Sequence, residues 1–311
     1  MQAKWWGVCY MRAAMRVLFI TSNRLGDAVL STGLLDHMLR VYPEARFTIA
    51  CGPVAAGVFA RMPRLERTLL LEKRRFDLHW AGLWRQVMGT WWDLVVDLRG
   101  SALGFLVRAR RRVMVRGGRR AGHKTAQLGA ALGVVPPPLP GCWVGMGDVV
   151  RAASLLPGGG PWIGLGPTAN WSGKIWAPAR FVALFQELAA GMPGARAVVF
   201  AGPGGAERAM AAPVLAGLPG AVDLGGVLSL PEASACLARC AVFVGNDSGL
   251  MHLAAATGTP TLGLFGPSPA REYAPAGQRT AFVVAPGPEG AAAMADLTVE
   301  AALEAALRLL G

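Results

Sequence analysis

The stretch GNDSGLMHLAAATGTPTLGLFGP, residues 245–267, gathers polar residues where an apolar run gives way to an Ala-rich segment. Asn246, Asp247 and Ser248 are consecutive, and His252 follows within the next turn. In open α/β sheets, ligands bind where strands end and helices begin. The N–H groups of a helix N-terminus favour an anion such as a diphosphate. We therefore predict an anion-binding turn in which Asp247 or Ser248 caps the helix.

The composition of this turn goes beyond what a helix cap requires. Gly249 would let a ligand approach the main chain. Ser248 and His252 are four residues apart, so they share one face of the predicted helix. His252 taken alone fits a structural histidine equally well. A cap needs one polar residue and this turn supplies three, which favours a binding role for the cluster.

A second candidate turn is SNRLGD, residues 22–27, between an apolar run and a helical pattern. Asp27 has two competing interpretations. It fits an N-cap that accepts N–H bonds from the first helical turn. It also fits a general base at the carboxyl edge of a sheet, where it would take the proton of a substrate hydroxyl.

A third candidate is the loop GPTANWSGKIWAPARF, residues 166–181, which holds a single lysine. Lys174 fits a solvated loop residue. It also fits a cation that neutralises a phosphate, helped by Thr168, Ser172 and nearby N–H groups.

Apolar runs alternating with helical periodicity predict the elements that position these turns. Continuous apolar strands joined by helices indicate parallel sheets covered on both faces. In the first half, strands are predicted at 15–21, 46–51, 67–72, 92–100 and 111–117, and helices at 27–43, 54–62 and 76–89. In the second half, strands are predicted at 162–167, 196–202, 221–225, 241–245, 261–266 and 280–285, and helices at 178–191, 204–216, 230–240, 248–257 and 298–311.

The Pro- and Gly-rich region 134–161 is the best linker candidate. The prediction is an α/β protein of two doubly wound, Rossmann-like domains facing a cleft, with domains at 1–150 and 151–311. Residues 1–14 are a possible extension upstream of the first strand, or a membrane-touching segment.

Charge is divided unevenly between the two halves. Of the net charge of +12, residues 1–150 contribute +13 and residues 151–311 contribute −1. The first half is therefore expected to meet an anionic partner. Its basic clusters lie at 72–77 and 107–120, but aromatic interleaving is poor and no recognition motif is present, so nucleic acid is disfavoured. An anionic glycolipid or the inner membrane surface fits better.

The sequence lacks the signatures of several other protein classes. The first strand-to-helix turn has one glycine instead of G-x-G-x-x-G, which disfavours a nicotinamide-dependent oxidoreductase. The five cysteines show no CxxC pair, which is typical of reduced packing residues in a cytoplasmic protein. Cys236 and Cys240 are four apart, but no second pair completes a metal site. No transmembrane span or signal peptide is predicted.

Together these segments resemble glycosyltransferase family 9, the ADP-heptose:lipopolysaccharide heptosyltransferases. The markers are MRVLFITSNRLGDAVLSTGLL, GPTANWSGKIWAPARFVALFQEL and FVGNDSGLMHLAAATGTPTLGLFGPSP. The last matches the family pattern D-[ST]-G-x-x-H-x-A-A. The resemblance implies a GT-B fold, with the acceptor on the N-terminal domain and the nucleotide sugar on the C-terminal one. It also implies metal-independent transfer with inversion, no cofactor besides the ADP-sugar donor, and peripheral contact with the inner membrane.

The resemblance also implies site residues. Asp27 falls on the proposed base, and Lys174 on a lysine that contacts phosphate and sugar. Glu207 would accept a ribose hydroxyl, and Leu228 would line the adenine pocket. The remaining donor-binding residues are Thr168, Ser172, Asp247, Ser248, Gly249, Leu250 and His252. The acceptor, a phosphorylated lipid A carrying acidic sugars, would meet Arg24, Gly26, Arg119 and Arg120.

Two other functions stay open at this stage. One is the oxidoreductase, and the other is a non-catalytic protein that binds a nucleotide sugar or a membrane surface. The segment TANWSG before Lys174 differs from the small and Thr-rich run usual in the family. The family therefore defines the reaction class, glycosyl transfer, better than it defines the sugar, a heptose or a related one.

Overall fold

The structure, a computed structural model, describes residues 14–73, 75–115, 121–158 and 160–311. Its packing divides the chain into two compact units, the first ending at Pro138 and the second running from Leu139 to Gly311. Each unit contains one sheet in which every strand pair is parallel. The predicted α/β class is confirmed.

The first unit contains a five-stranded sheet in the order β3-β2-β1-β4-β5. Its strands are β1 Arg16–Ile20, β2 Arg46–Cys51, β3 Leu65–Leu70, β4 Trp92–Asp97 and β5 Ala109–Met114. Its helices are α1 Leu25–Val41, α2 Pro53–Ala56, α3 Leu78–Val87, α4 Leu103–Leu106 and α5 Lys124–Leu132.

Burial explains why β1 occupies the centre of this sheet. Its residues Val17 to Ile20 are fully buried, which suits a strand covered by helices on both faces. At the edge, β5 keeps Arg110, Arg111 and Arg112 exposed. Charged residues on an edge strand discourage pairing with another sheet.

The second unit contains a six-stranded sheet in the order β11-β10-β9-β6-β7-β8. Its strands are β6 Trp162–Gly166, β7 Arg196–Val199, β8 Val222–Asp223, β9 Cys240–Asn246, β10 Thr261–Phe265 and β11 Thr280–Val284. Its helices are α6 Met146–Leu155, α7 Pro178–Ala190, α8 Gly205–Gly217, α9 Leu230–Leu237, α10 Gly249–Ala256, α11 Ala270–Tyr273 and α12 Val299–Leu310.

At the centre of the second sheet, three glycines surround the ring of Phe243. Phe243 lies opposite Gly164 in the register of β6 and β9. A Cβ on Gly166 would come within 2.5 Å of the Phe243 Cζ atom, and one on Gly245 within 2.7 Å of Cε1. Glycine at these positions lets the ring lie against the main chain where β6 and β9 end.

Each sheet reverses its strand order at one place. The first sheet runs from β1 outward to β3, and the chain then returns to β4 on the other side of β1. The second runs from β6 outward to β8 and returns to β9 on the other side of β6. Such switch points open a crevice beyond the carboxyl ends of the two strands, where ligands bind in open α/β sheets.

One prediction is wrong in detail. The proposed linker 134–161 contains α6, which packs on α9 and buries Ala152. Asp148 stabilises the start of α6 by accepting the N–H of Gly145 at 2.7 Å. Because α6 packs within the second unit, the structural division falls at Pro138, whereas the sequence placed the domain boundary at 150.

The short helices α4, α5 and α11 were not predicted, since four to nine residues carry little periodicity. The possible extension falls almost wholly outside the described residues, which begin at residue 14. In the described part of the chain, no helix is both long and apolar enough to cross a bilayer.

Candidate functional site

The switch point of the second sheet brings two opposite charges together. Lys174 ends the short 3₁₀ turn Ser172–Lys174 in the loop after β6, and Asp247 directly follows β9. The Lys174 Nζ donates to Asp247 Oδ2 at 2.6 Å. The two side chains are 24% and 7% exposed, so the pair is largely shielded from water. The sequence predicted both residues but not that they bind each other.

Asn246 fixes the loop that carries Lys174. Its side chain is fully buried, and its Oδ1 accepts the main-chain N–H of Trp176 at 3.1 Å. Trp176 is itself anchored, since its Nε1 donates to the carbonyl of Leu297 at 2.8 Å and its ring packs edge-on against Phe181. Asn246 thus ties the β6 loop to the end of β9. Asn246 belongs to the polar cluster found in the sequence, but no sequence pattern indicates this role.

Helix α10 begins directly after the ion pair. Of the two residues predicted to cap it, Ser248 occupies the N-cap position, but the Ser248 side chain makes no capping hydrogen bond. Its Oγ is buried and has no hydrogen-bond partner among the described residues. Gly249 opens the helix and Leu250 follows, both half-buried. His252, 4% exposed, lies one turn further on, and its N–H donates to the Ser248 carbonyl at 3.4 Å.

The other predicted donor residues follow the remaining strand ends. Thr168, almost fully buried, and Ser172, exposed, lie in the loop after β6. Glu207 is the third residue of α8, which follows β7. Its carboxylate lies so close to Gly202 that a Cβ there would overlap it. Leu228 is half-buried in the loop after β8.

These positions form a row along one edge of the sheet. In the strand order β9-β6-β7-β8, Asp247 directly follows β9, and Lys174, Glu207 and Leu228 lie in the segments that follow β6, β7 and β8. At about 4.8 Å between neighbouring strands, the carboxyl ends of these four strands span roughly 14 Å. That span is long enough for an elongated ligand to lie across the strand ends.

In the first unit, Asp27 does not cap α1. The N-cap is Arg24, and Asp27 is the third helical residue, so the capping interpretation is wrong. The Asp27 Oδ2 accepts the Ser22 hydroxyl at 3.2 Å, and the side chain is half-buried. The Ser22 Oγ also accepts the Arg24 N–H at 3.1 Å. The turn therefore holds a carboxylate at the first switch point without using it as a cap.

Of the four predicted acceptor residues, two lie in the described part of the chain. Arg24 is exposed and Gly26 half-buried, both at the start of α1. Arg119 and Arg120 lie outside the described residues.

The turn after β4 was not among the predicted site residues. Arg99 NH1 donates to Asn23 Oδ1 at 2.7 Å, so it reaches the turn that carries Asp27. Asp97, fully buried at the end of β4, accepts N–H bonds from Arg99 and Ser101. The only sequence signal was a strand ending in charge.

The described cysteines are free, as expected of packing residues. Burial raises the pKa of the Cys51 thiol to about 12 and that of Cys142 to about 11. These thiols therefore stay protonated at neutral pH and are poor nucleophiles. In the described ranges, no three His, Cys, Asp or Glu side chains are grouped as a metal site would require.

Solved structures share this fold. A glycosyl transferase of family 9 from Veillonella parvula superposes with a TM-score of 0.79 at 19% identity, over 96% of this chain and 98% of that one. The ADP-heptose lipopolysaccharide heptosyltransferase II of Escherichia coli superposes with a TM-score of 0.75 at 22% identity, over 95% of this chain and 98% of that one. The fold is therefore the two-domain GT-B fold.

Sequence comparison defines the family. The model of glycosyltransferase family 9 (heptosyltransferase) matches residues 144–297, all in the second unit. Lipopolysaccharide heptosyltransferase 1 of Pseudomonas aeruginosa is 29% identical over 292 residues, covering 82% of this chain and 79% of that protein. The chain belongs to glycosyltransferase family 9 and is a glycosyltransferase.

The shielded ion pair predicts a measurable coupling energy. Lys174→Met leaves the buried Asp247 carboxylate unpaired, which should cost about 1–3 kcal/mol of unfolding free energy. Asp247→Asn should remove most of that penalty when it is combined with Lys174→Met. Urea unfolding of the wild type, both single variants and the double variant gives the coupling.

The matched control is the pair Arg308–Glu304 on α12, with both side chains 69% exposed. Its coupling should be no more than about 0.5 kcal/mol. Equal coupling for the two pairs would show that shielding adds nothing to the Lys174–Asp247 interaction.

Proposed function

We propose that the protein transfers a heptose, or a related sugar, from an ADP-sugar to a lipopolysaccharide core acceptor, with inversion and without a metal ion. The observation that carries the proposal is the row of donor residues along β9-β6-β7-β8, with Lys174 and Asp247 at the switch point. Family membership and relatives named as heptosyltransferases support the choice of sugar.

The donor would lie along this row. Its diphosphate meets Lys174 and the N-terminus of α10, where the helix dipole favours negative charge. Asp247 and His252 lie nearest the sugar, and Thr168, Ser172, Ser248, Gly249 and Leu250 complete the contacts. Glu207, at the end of β7, accepts a ribose hydroxyl. Leu228, at the end of β8, packs against the adenine.

Transfer then needs one displacement. Asp27 takes the proton of an acceptor hydroxyl, and that oxygen forms a bond to the anomeric carbon of the donor. The bond from the anomeric carbon to the diphosphate oxygen breaks at the same time, and its electron pair leaves with ADP. A single displacement inverts the anomeric centre. Lys174 and the α10 N–H groups stabilise the leaving diphosphate, so the protein itself supplies the positive charge.

Two other functions are less well supported. Family membership argues against the nicotinamide-dependent oxidoreductase, as does the single glycine of the first turn. A non-catalytic protein that binds a nucleotide sugar would share the donor row but would not need a half-buried carboxylate at the first switch point.

Asp27→Asn tests the base. We expect turnover to fall by about 10²–10⁴-fold, because the amide cannot take the hydroxyl proton, while ADP affinity stays within about twofold. The assay is transfer from ADP-heptose to a heptose-free lipopolysaccharide core. Asp36→Asn is the matched control, a carboxylate on the same helix that pairs with Arg40. Near-normal turnover of Asp27→Asn would refute its role as base.

Calorimetric titration with ADP, UDP and NADH tests the donor class. We expect ADP to bind, and Lys174→Ala to weaken ADP binding by about 10–100-fold through loss of a charge-assisted contact. A preference for UDP would keep glycosyl transfer but exclude the ADP-sugar. NADH binding in place of ADP would favour the oxidoreductase, and ADP binding without transfer to any acceptor would favour the binding protein.

We also propose that the protein works in the cytoplasm, at the surface of the inner membrane. Phe105 and Leu106 of α4 are 67% and 65% exposed. Arg112 of the basic edge strand β5 holds this short helix by donating to the carbonyls of Gly104 and Val107 at 2.8 and 2.7 Å. Apolar side chains beside arginines suit an anionic bilayer surface.

Vesicle sedimentation tests this contact. The protein should sediment with vesicles containing anionic phospholipid and much less with neutral ones. Phe105→Ser/Leu106→Ser should reduce the bound fraction at least fivefold while ADP affinity is unchanged. Equal binding of the double variant would remove α4 from the membrane contact.

A further inference from the structure

Arg99 is held in a defined position beside the turn that carries Asp27. Its NH1 donates to Asn23 Oδ1 at 2.7 Å. Its guanidinium carbon lies 5.3 Å from the centre of the Trp80 ring, within the range of a cation–π interaction. Two contacts of different kinds therefore restrain one long side chain that would otherwise sample many rotamers.

The main chain of this turn is also fixed. The Asp97 carboxylate is fully buried and accepts three hydrogen bonds, from the Arg99 N–H at 2.8 Å, the Ser101 N–H at 2.9 Å and the Ser101 hydroxyl at 2.5 Å. A buried carboxylate that accepts three hydrogen bonds sets the conformation of the loop after β4. Arg99 is thus positioned from both its main chain and its side chain.

Most of the hydrogen-bonding capacity of Arg99 is unused in the described structure. A guanidinium has five N–H donors in a planar fork, and one of them bonds Asn23. Arg99 is exposed, and its guanidinium makes no other hydrogen bond among the described residues. A stacked, pre-oriented guanidinium with free donors is well suited to bidentate recognition of a carboxylate or phosphate.

Topology places this group next to the proposed base. β1 and β4 are neighbours at the switch point of the first sheet, and Asp27 and Arg99 lie in the turns after them. The contact between Asn23 and Arg99 joins the two turns directly. An acceptor with a hydroxyl at Asp27 would therefore have Arg99 within reach of an adjacent anionic group.

We propose that Arg99 binds an anionic group of the acceptor, a carboxylate or a phosphate, close to the hydroxyl that Asp27 deprotonates. This inference rests on the proposed function and assigns a substrate contact to a residue outside the predicted site. Arg99 acts on acceptor affinity and on the orientation of the hydroxyl, and not on the donor.

The test compares Arg99→Gln and Arg99→Lys with wild type on three acceptors. The first is a deacylated, heptose-free lipopolysaccharide core, the second is the same core after phosphatase treatment, and the third is the core with its carboxylates methyl-esterified. Acceptor binding is measured by calorimetry and acceptor KM by transfer from ADP-heptose. Arg85→Gln, an exposed arginine on α3, is the matched control.

On the untreated core, we expect Arg99→Gln to weaken acceptor binding and raise acceptor KM by about 10–100-fold, with donor KM unchanged. Arg99→Lys should have an acceptor affinity and an acceptor KM between those of wild type and Arg99→Gln. Lysine keeps the positive charge but cannot form the bidentate contact of a guanidinium. On the acceptor that lacks the recognised anion, wild type and Arg99→Gln should bind equally. Phosphatase or esterification then identifies which anion is bound.

The opposite results are equally clear. An equal penalty on all three acceptors would show that Arg99 only supports the turn, and no penalty on any would also overturn the proposal. The calorimetric arm does not need turnover. Failure of wild type to transfer heptose would therefore count against the proposed function, while the binding comparison still decides the role of Arg99.

Discussion

Parallel pairing of every strand is the constraint on which both candidate sites depend. It puts all carboxyl ends of a sheet at one edge, so that segments far apart in sequence meet there. Lys174 and Asp247 are 73 residues apart, and Asn23 and Arg99 are 76 apart, yet both pairs are in hydrogen-bond contact. The helices between the strands serve mainly to bury the sheets and return the chain to the same edge.

The two sheets use this edge differently. The second offers a row across four strands, with charge compensated at the switch point and a helix N-terminus beside it. The first offers a compact pair of turns, with a carboxylate in one and a guanidinium in the other. An elongated nucleotide sugar suits the row, and a hydroxyl flanked by an anionic group suits the pair of turns. The basic surplus of the first half agrees with this division, because the proposed acceptor is the more anionic partner.

The sequence predicts the secondary structure, which depends on neighbouring residues, but not the contacts between segments far apart in the chain. Apolar runs predicted every strand to within a few residues, and Pro178 marked the start of a helix correctly. The predicted capping role of Asp27 is wrong because a carboxylate near a helix start has the same local pattern whether it caps the helix or, as here, accepts a side-chain hydroxyl. The linker failed because Pro and Gly on either side hid α6. The bonds of Lys174, Asn246 and Arg99 depend on strand order, which no local pattern encodes.

The Lys174–Asp247 pair also explains how a largely shielded loop can hold a lysine in one direction. A lysine with no partner in a largely shielded loop would be costly to bury and free to reorient. Asp247 stabilises the ammonium and fixes its direction, while Asn246 fixes the loop. Under the proposed function, the donor diphosphate would add its oxygens to an ammonium with three N–H donors, of which Asp247 takes one. Donor binding would then extend an existing contact, which lowers the entropy lost on binding.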